Sequence, residues 1–149
     1  MRYLFIFCLV ISFTACKTAS VDNKITFANN PVIAHRGAWK ANNFPENSVA
    51  SLKHAIALKC TGSEFDVRMT ADNVLIITHD ADYHGLVIEE TTYAELSKYK
   101  LPNGEMLPTL KQYVIAGLQN NTSTGLVGEI KPSKIEGRTL LIAEKGMKQ

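Results

Sequence analysis

The chain has 149 residues, 46% of them apolar and 20% charged, with a formal net charge of +2 at pH 7. That length suits one domain, and the balance is that of a globular protein. No basic stripe with interleaved aromatics occurs, which excludes a nucleic-acid partner, and there is no repeat, low-complexity tract or block of like charge.

Arg2 precedes the apolar run YLFIFCLVISF, which is too short to span a membrane and is followed by the small residues Thr14 and Ala15. A positive start, an apolar core and small residues are the anatomy of a secretory signal over residues 1–15. The stretch FTAC, ending in Cys16, resembles a bacterial lipoprotein signal, which implies cleavage before Cys16 and lipidation of that cysteine. The alternative is an ordinary signal peptide cut after Ala15. On the lipoprotein reading the chain is exported to the bacterial cell envelope and held on a membrane by its N-terminal lipid, more firmly the more acyl carbon is buried. Residues 16–30 are polar and short-sided, a lipidated N-terminus and tether, and residues 31–149 form the folded domain. With Cys8 in the leader and Cys16 lipidated, Cys60 has no partner for an intrachain disulfide, and its place at the end of an apolar helical run predicts a buried, inert thiol.

PVIAH reads as a first buried strand, opened by a proline that a first strand position tolerates. NSVASLKHAIALKC puts Val49, Leu52, Ala55, Ile56 and Leu58 at helical spacing, with Asn47 or Ser48 as N-cap. Gly62 punctuates the chain before a second strand, SEFDVRM, of alternating character. ADN is a turn, and VLIITHD is a third strand that ends in His79 and Asp80. A longer polar stretch carries a helical piece at TTYAELSKY. LPTLKQYVIAGLQ starts a helix at Pro108–Thr109, with apolar spacing through Leu110, Val114 and Leu118. LVGEI is a fourth strand, closed by Lys131 and Pro132, and GRTLLIAEKGMK is a last helix. Apolar strands alternating with helices predict parallel β/α units, although the tight TADN connection interrupts strict alternation. Parallel α/β folds place ligands at the C-terminal ends of their strands, where the polar residues here fall.

Those residues are His35 and Arg36, Glu46 and Asn47, Glu64 and Asp66, His79 and Asp80, and Glu129 with Lys131. Glu64 and Asp66 are two apart on a strand and point to one face. Adjacent carboxylates repel unless a cation or proton lies between them, and with Glu129 they make three oxygen ligands suited to Mg2+ or Ca2+. Two histidines serve as acid and base near neutral pH. Arg36 and Lys131 suit phosphate oxygens. Each element alone has a plain structural reading: a strand-end turn, a solvated strand face, a structural histidine, a surface ion pair. Together, a cation site, two histidines and two cationic donors spell metal-assisted phosphoryl chemistry.

AHRGAWKANNFPENSVASLKHAIALKCTGSEFDVRMTADNVLIITHD is similar to the opening motif of the glycerophosphodiester phosphodiesterases, with His-Arg-Gly, Pro-Glu-Asn, Glu-x-Asp and His-Asp in order. LPTL at Leu107–Leu110 and EIKP at Glu129–Pro132 also match. The resemblance runs from about Pro31 to about Lys145. It implies an α/β fold, the N-terminal portion of a (β/α)8 barrel with about four strands, and hydrolysis of glycerophosphodiesters to glycerol 3-phosphate and an alcohol. By the same resemblance His35 and His79 are the general acid/base pair. Glu64, Asp66 and Glu129 hold the divalent metal, Mg2+ or Ca2+. Arg36 and Lys131 contact the phosphate, and Glu46 supports the site.

A (β/α)8 barrel typically needs about 250 residues, about 200 at the least. The expectation is therefore a C-terminally truncated member of the family. Two other readings are a half-barrel that self-associates to cover its open edge, and a catalytically incompetent, lipid-anchored binding or interaction module. A related phospholipase D-like barrel enzyme is the alternative enzyme class.

Overall fold

The computed structural model describes residues 29–149. The leader, Cys16 and nearly all of the tether lie outside the described residues. No helix among the described residues is long and apolar enough to cross a membrane.

The fold is organised around one long strand. β1 (Asn30–Ala34) leads through a turn to α1 (Val49–Ala57), and β2 (Cys60–Met69) follows directly. β2 pairs in parallel with β1, Ile33 opposite Gly62 and Ala34 opposite Ser63. It pairs in parallel with β6 (Gly125–Ile130) from Gly62–Gly125 to Val67–Ile130. Its last residues pair antiparallel with β3 (Leu75–Ile77), Val67 opposite Ile77. Gly62 and Val67 each face two partners, so β1 and β3 share one edge of β2 and β6 takes the other. β1 stops at Ser63 and β3 begins at Val67, which leaves a gap along that edge at Glu64–Asp66. The gap is closed by loops: Gly37 N donates to Glu64 O at 3.2 Å and Thr78 N to Asp66 O at 3.0 Å.

The two faces of β2 separate by chemistry. Phe65, Val67 and Met69 join Leu52 of α1, Leu110 and Tyr113 of α3 (Leu110–Leu118) and Ile142 of α4 (Arg138–Gly146) in one core. Each fully buried apolar side chain contributes about 1.5–3 kcal/mol. Glu64, Asp66 and Arg68 occupy the opposite face, as period two requires. Ile76, in β3, turns away from this core to a second cluster with Ile88, Leu96 and Leu107.

Local chemistry sets the helix starts. Ser48 caps α1 by accepting from Ser51 N, and Thr109 caps α3 with Gln112 closing a capping box. Between β3 and α3 lie a two-residue hairpin, β4 (Asp82–Tyr83) and β5 (Leu86–Val87), and α2 (Tyr93–Leu96) with its own capping box. His84 and Gly85 both have positive φ, 52° and 78°, as a tight hairpin loop matching the strand twist demands.

Several expectations are corrected. The third strand is antiparallel, because the turn after Met69 is too short for a parallel crossover. Gly62 does not break the chain but lies within β2, and Cys60 opens that strand rather than ending a helix. Leu58 and Leu118 lie at helix ends with half or more of their surface exposed, outside the core. Cys60 is free and buried as expected, and burial raises its thiol above the usual range.

Candidate active site

The gap in the edge of β2 brings the polar residues together. β1 ends at Ala34, so His35 and Arg36 stand in the turn that enters the gap from one side. β3 enters from the other, and Thr78 and His79 follow its last residue. Asp66 lies directly across from Glu129 in the parallel register of β2 and β6, which puts both carboxylates on one face.

Arg36 is held with φ 56°, in the left-handed region. Its N–H donates to Glu64 Oε2 at 2.8 Å. Its guanidinium donates from Nη1 to Glu46 Oε2 at 2.9 Å, and Nε lies 3.5 Å from Asp66 Oδ2. Burial pulls the Arg36 guanidinium down, but the Glu46 hydrogen bond and the charges of Glu46, Asp66 and Glu64 outweigh it and hold the group above its ordinary value.

Asp66 is fully buried. Its Oδ2 accepts from Asn47 Nδ2 at 2.8 Å, and its backbone N donates to Asn47 Oδ1 at 3.1 Å. Lys131 Nζ stands 3.3 Å from Asp66 Oδ1 and donates to Glu129 Oε1 at 2.8 Å. The hydrogen bond to Glu129 raises the Lys131 amine above its ordinary value; burial opposes this and Asp66 reinforces it. A buried carboxylate is thus matched by two cations and an amide, as burial of charge requires.

Oxygens of Glu64, Asp66 and Glu129 lie within 4.8 Å of one another. Glu64 Oε1 is buried without a hydrogen-bond partner, and Asp66 Oδ1, equally buried, has only the Lys131 ammonium, 3.3 Å away. A buried carboxylate oxygen with no hydrogen-bond donor, beside two further carboxylates, belongs to the donor set a hard divalent cation takes. The residues present therefore fit a divalent metal ion.

His79 Nδ1 pairs with Asp80 Oδ1 at 2.8 Å, which fixes the ring and leaves Nε2 for other chemistry. The backbone beneath it is held by Arg68, whose Nε donates to His79 O at 2.8 Å. A cleft of about 370 Å³ opens beside this histidine, lined by Glu46, Asn47, His79, Tyr83, Pro102 and Leu107 among others. His35 is exposed in its turn.

Glu46, Glu64, Asp66, Glu129, Arg36 and Lys131 thus form one connected cluster, with His35 adjacent in sequence to Arg36 and His79 entering from the other side of the gap. Three contributors were not foreseen in their roles. Asn47 is not the helix cap but the partner of Asp66, Asp80 orients His79, and Arg68 anchors the His79 backbone. Asn47 carried a signal: asparagine is the side chain that most readily takes positive φ, and it has φ 58° here.

The profile of the glycerophosphoryl diester phosphodiesterase family matches residues 35–138. The chain is 42% identical over 64 residues to the glycerophosphodiester phosphodiesterase of Caldanaerobacter subterraneus, covering 43% of this chain and 24% of that protein. Its structure is similar to that of a glycerophosphodiester phosphodiesterase from Parabacteroides distasonis, with TM-score 0.76 and 41% identity, covering 82% of this chain and 51% of the other. It is also similar to an Oleispira antarctica phosphodiesterase solved with the product sn-glycerol-3-phosphate, with TM-score 0.68 and 31% identity, covering 80% and 52%. The chain spans about half the length of these solved relatives and about a quarter of the curated one. Its four-stranded sheet and flanking helices are the N-terminal portion of a (β/α)8 barrel, and the chain belongs to the glycerophosphoryl diester phosphodiesterase family.

Proposed function

We propose that this site hydrolyses glycerophosphodiesters to glycerol 3-phosphate and an alcohol, with a divalent metal ion and histidine acid–base catalysis. The observation that carries the proposal is the carboxylate trio, with Glu64 Oε1 buried and unpartnered, flanked by Arg36 and Lys131. The product-bound Oleispira antarctica structure supports the substrate class.

Glu64, Asp66 and Glu129 would hold Mg2+ or Ca2+. Such an ion, when bound, supplies positive charge to the phosphate oxygens as a Lewis acid. Arg36 and Lys131 bind the phosphate anion, and their carboxylate partners keep both cations in place before substrate arrives. Glu46 fixes the Arg36 guanidinium. His35 and His79 divide the proton work: one takes a proton from the attacking group while the other protonates the departing alkoxide. The net change is one water added across a phosphorus–oxygen ester bond. Asp80 holds the His79 ring so that its free nitrogen faces the reacting atoms. His79→Ala should lower turnover by about 10²–10⁴. Equal turnover in a folded His79→Ala protein would remove His79 from the mechanism.

The exported, membrane-attached state is proposed on the FTAC stretch, with Cys16 as the lipidated residue. Fatty-acid labelling of the expressed chain tests it, and Cys16→Ser should abolish the label. Self-association is proposed on the exposed apolar residues Val127 and Ile130 of β6, which would be covered by a second copy. Sizing the leaderless chain in solution reads this directly, and a strict monomer at every concentration rejects it.

A further inference from the structure

Glu105 lies in the loop between α2 and α3, far in sequence from every residue of the site. Both of its carboxylate oxygens are spent on the first turn of α1. Oε2 accepts from Val49 N at 2.9 Å and Oε1 from Ala50 N at 3.1 Å. Ser48 Oγ takes the next amide, Ser51 N, at 3.0 Å. The first three orphan donors of the helix are therefore satisfied, two of them by a residue outside the helix. A negative charge at this end also meets the positive pole of the helix.

The carboxylate is itself fixed. Asn103 Nδ2 donates to Glu105 Oε1 at 2.8 Å, and Glu105 N donates to Asn103 Oδ1 at 3.1 Å. Leu101 N closes the loop onto Glu105 O at 2.8 Å. The same loop supplies Leu101, Pro102 and Leu107 to the lining of the cleft, and Glu46 and Asn47, just before α1, line it as well. Glu105 is the bracket between this loop and the start of α1.

What the bracket holds is the site. Asn47, two residues before the clamped Val49, makes both hydrogen bonds to Asp66 and donates its own N–H to Arg36 O at 3.0 Å. Ser51 Oγ, one residue after the clamped Ala50, donates to the same Arg36 oxygen at 3.1 Å. The start of α1 thus sets the orientation of Asp66 and the strained Arg36 turn together.

We infer that Glu105 is a positioning residue: by clamping the first two amides of α1 it holds Asn47 against Asp66, and so shapes the carboxylate site from the loop before α3. Its consequence for turnover rests on the function proposed above; the geometry it enforces does not. The test compares wild type, Glu105→Ala and Glu105→Gln with Asn121→Ala. Asn121 brackets the loop before β6, through Gly117 O and Thr124 O, at the opposite end of the strands. The Asn47 side-chain amide signals and the exchange rates of the Val49 and Ala50 amides are read by NMR, and Ca2+ affinity by calorimetry, where each protein is folded.

The expected result is faster exchange at Val49 and Ala50 and a shifted, faster-exchanging Asn47 amide in Glu105→Ala, with Glu105→Gln between it and wild type. Ca2+ affinity should fall about tenfold in Glu105→Ala, the low end of what outer-shell partners of a metal site contribute. Asn121→Ala should leave all these readings at wild-type values. If Glu105→Ala does not fold, the same readings in Glu105→Gln decide. An unchanged Asn47 amide in a folded Glu105 variant, or an equal change in Asn121→Ala, overturns the inference. A wild-type chain that binds no Ca2+ would contradict the proposed metal site, while the amide signals would still decide the role of Glu105.

Discussion

Replacing Asn47 with Ala removes the group that joins the start of α1 to the buried carboxylate. Asn47 and Asp66 are 3% and 0% exposed, so water cannot replace what is lost. The truncation deletes a charge-assisted hydrogen bond of 2.8 Å to Asp66 Oδ2 and orphans the Asp66 N–H. The first is worth about 1.5–3 kcal/mol and the second about 1–3 kcal/mol. Alanine must also sit at φ 58°, a left-handed conformation that costs about 1 kcal/mol. One side chain makes both contacts, so the parts overlap, and the expected loss is about 4 kcal/mol. A domain stable by about 5–15 kcal/mol stays folded but weakened. Asn47→Gly removes the same contacts and recovers about 1 kcal/mol of backbone strain, so it should be the more stable of the two. Asn47→Asp keeps the acceptor for the Asp66 N–H and places a second carboxylate against Asp66. Urea unfolding at pH 7 orders the variants. A loss below about 1 kcal/mol for Asn47→Ala, or Asn47→Gly falling below it, would refute the reasoning.

Three further outcomes follow from other parts of the molecule. Gly37 has φ 79°, and a methyl group there would overlap Ser51 Oγ and come within 2.7 Å of the Ser51 carbonyl carbon. Gly37→Ala should destabilise by about 3 kcal/mol or more, read by thermal unfolding. Lys131 is raised in the folded state, so the stability it adds is full below the ordinary lysine value of about 10.4 and is lost as pH rises through the higher folded value. The stability difference between wild type and Lys131→Met should shrink above that pH, and a constant difference would contradict the pairing with Glu129 and Asp66. Asp80→Asn should lower turnover at least about tenfold, a part of what general acid–base catalysis is worth, without changing the unfolding midpoint, since Asp80 is largely exposed.

Much of the site was legible because its residues carry their chemistry in order along the chain. Glu64 and Asp66 share a face by strand periodicity alone, and Ser48 and Thr109 announce their helices. The antiparallel β3 was less legible, since VLIITHD is equally apolar whichever way it runs. Only the shortness of the turn at 70–74 decides the direction, and that direction is what carries His79 back to the level of Asp66. The hairpin at 82–87 was read as a polar stretch, because two-residue strands leave no period to detect. Asn47 stands beside Ser48 as a candidate helix cap because both residue types cap helices well; its tertiary bond to Asp66 has no local signal. Glu105 was invisible for the same reason, acting on amides more than fifty residues earlier in the chain. The lipidation of Cys16 concerns residues outside those described.

The most direct test of the central proposal is release of glycerol 3-phosphate by the leaderless chain from glycerophosphocholine and glycerophosphoethanolamine, with Mg2+, Ca2+ or chelator. The account predicts release that depends on the metal and is lost in both His35→Ala and Glu64→Ala. Release that persists in chelator, or a folded, soluble chain that releases nothing with either metal, would contradict it.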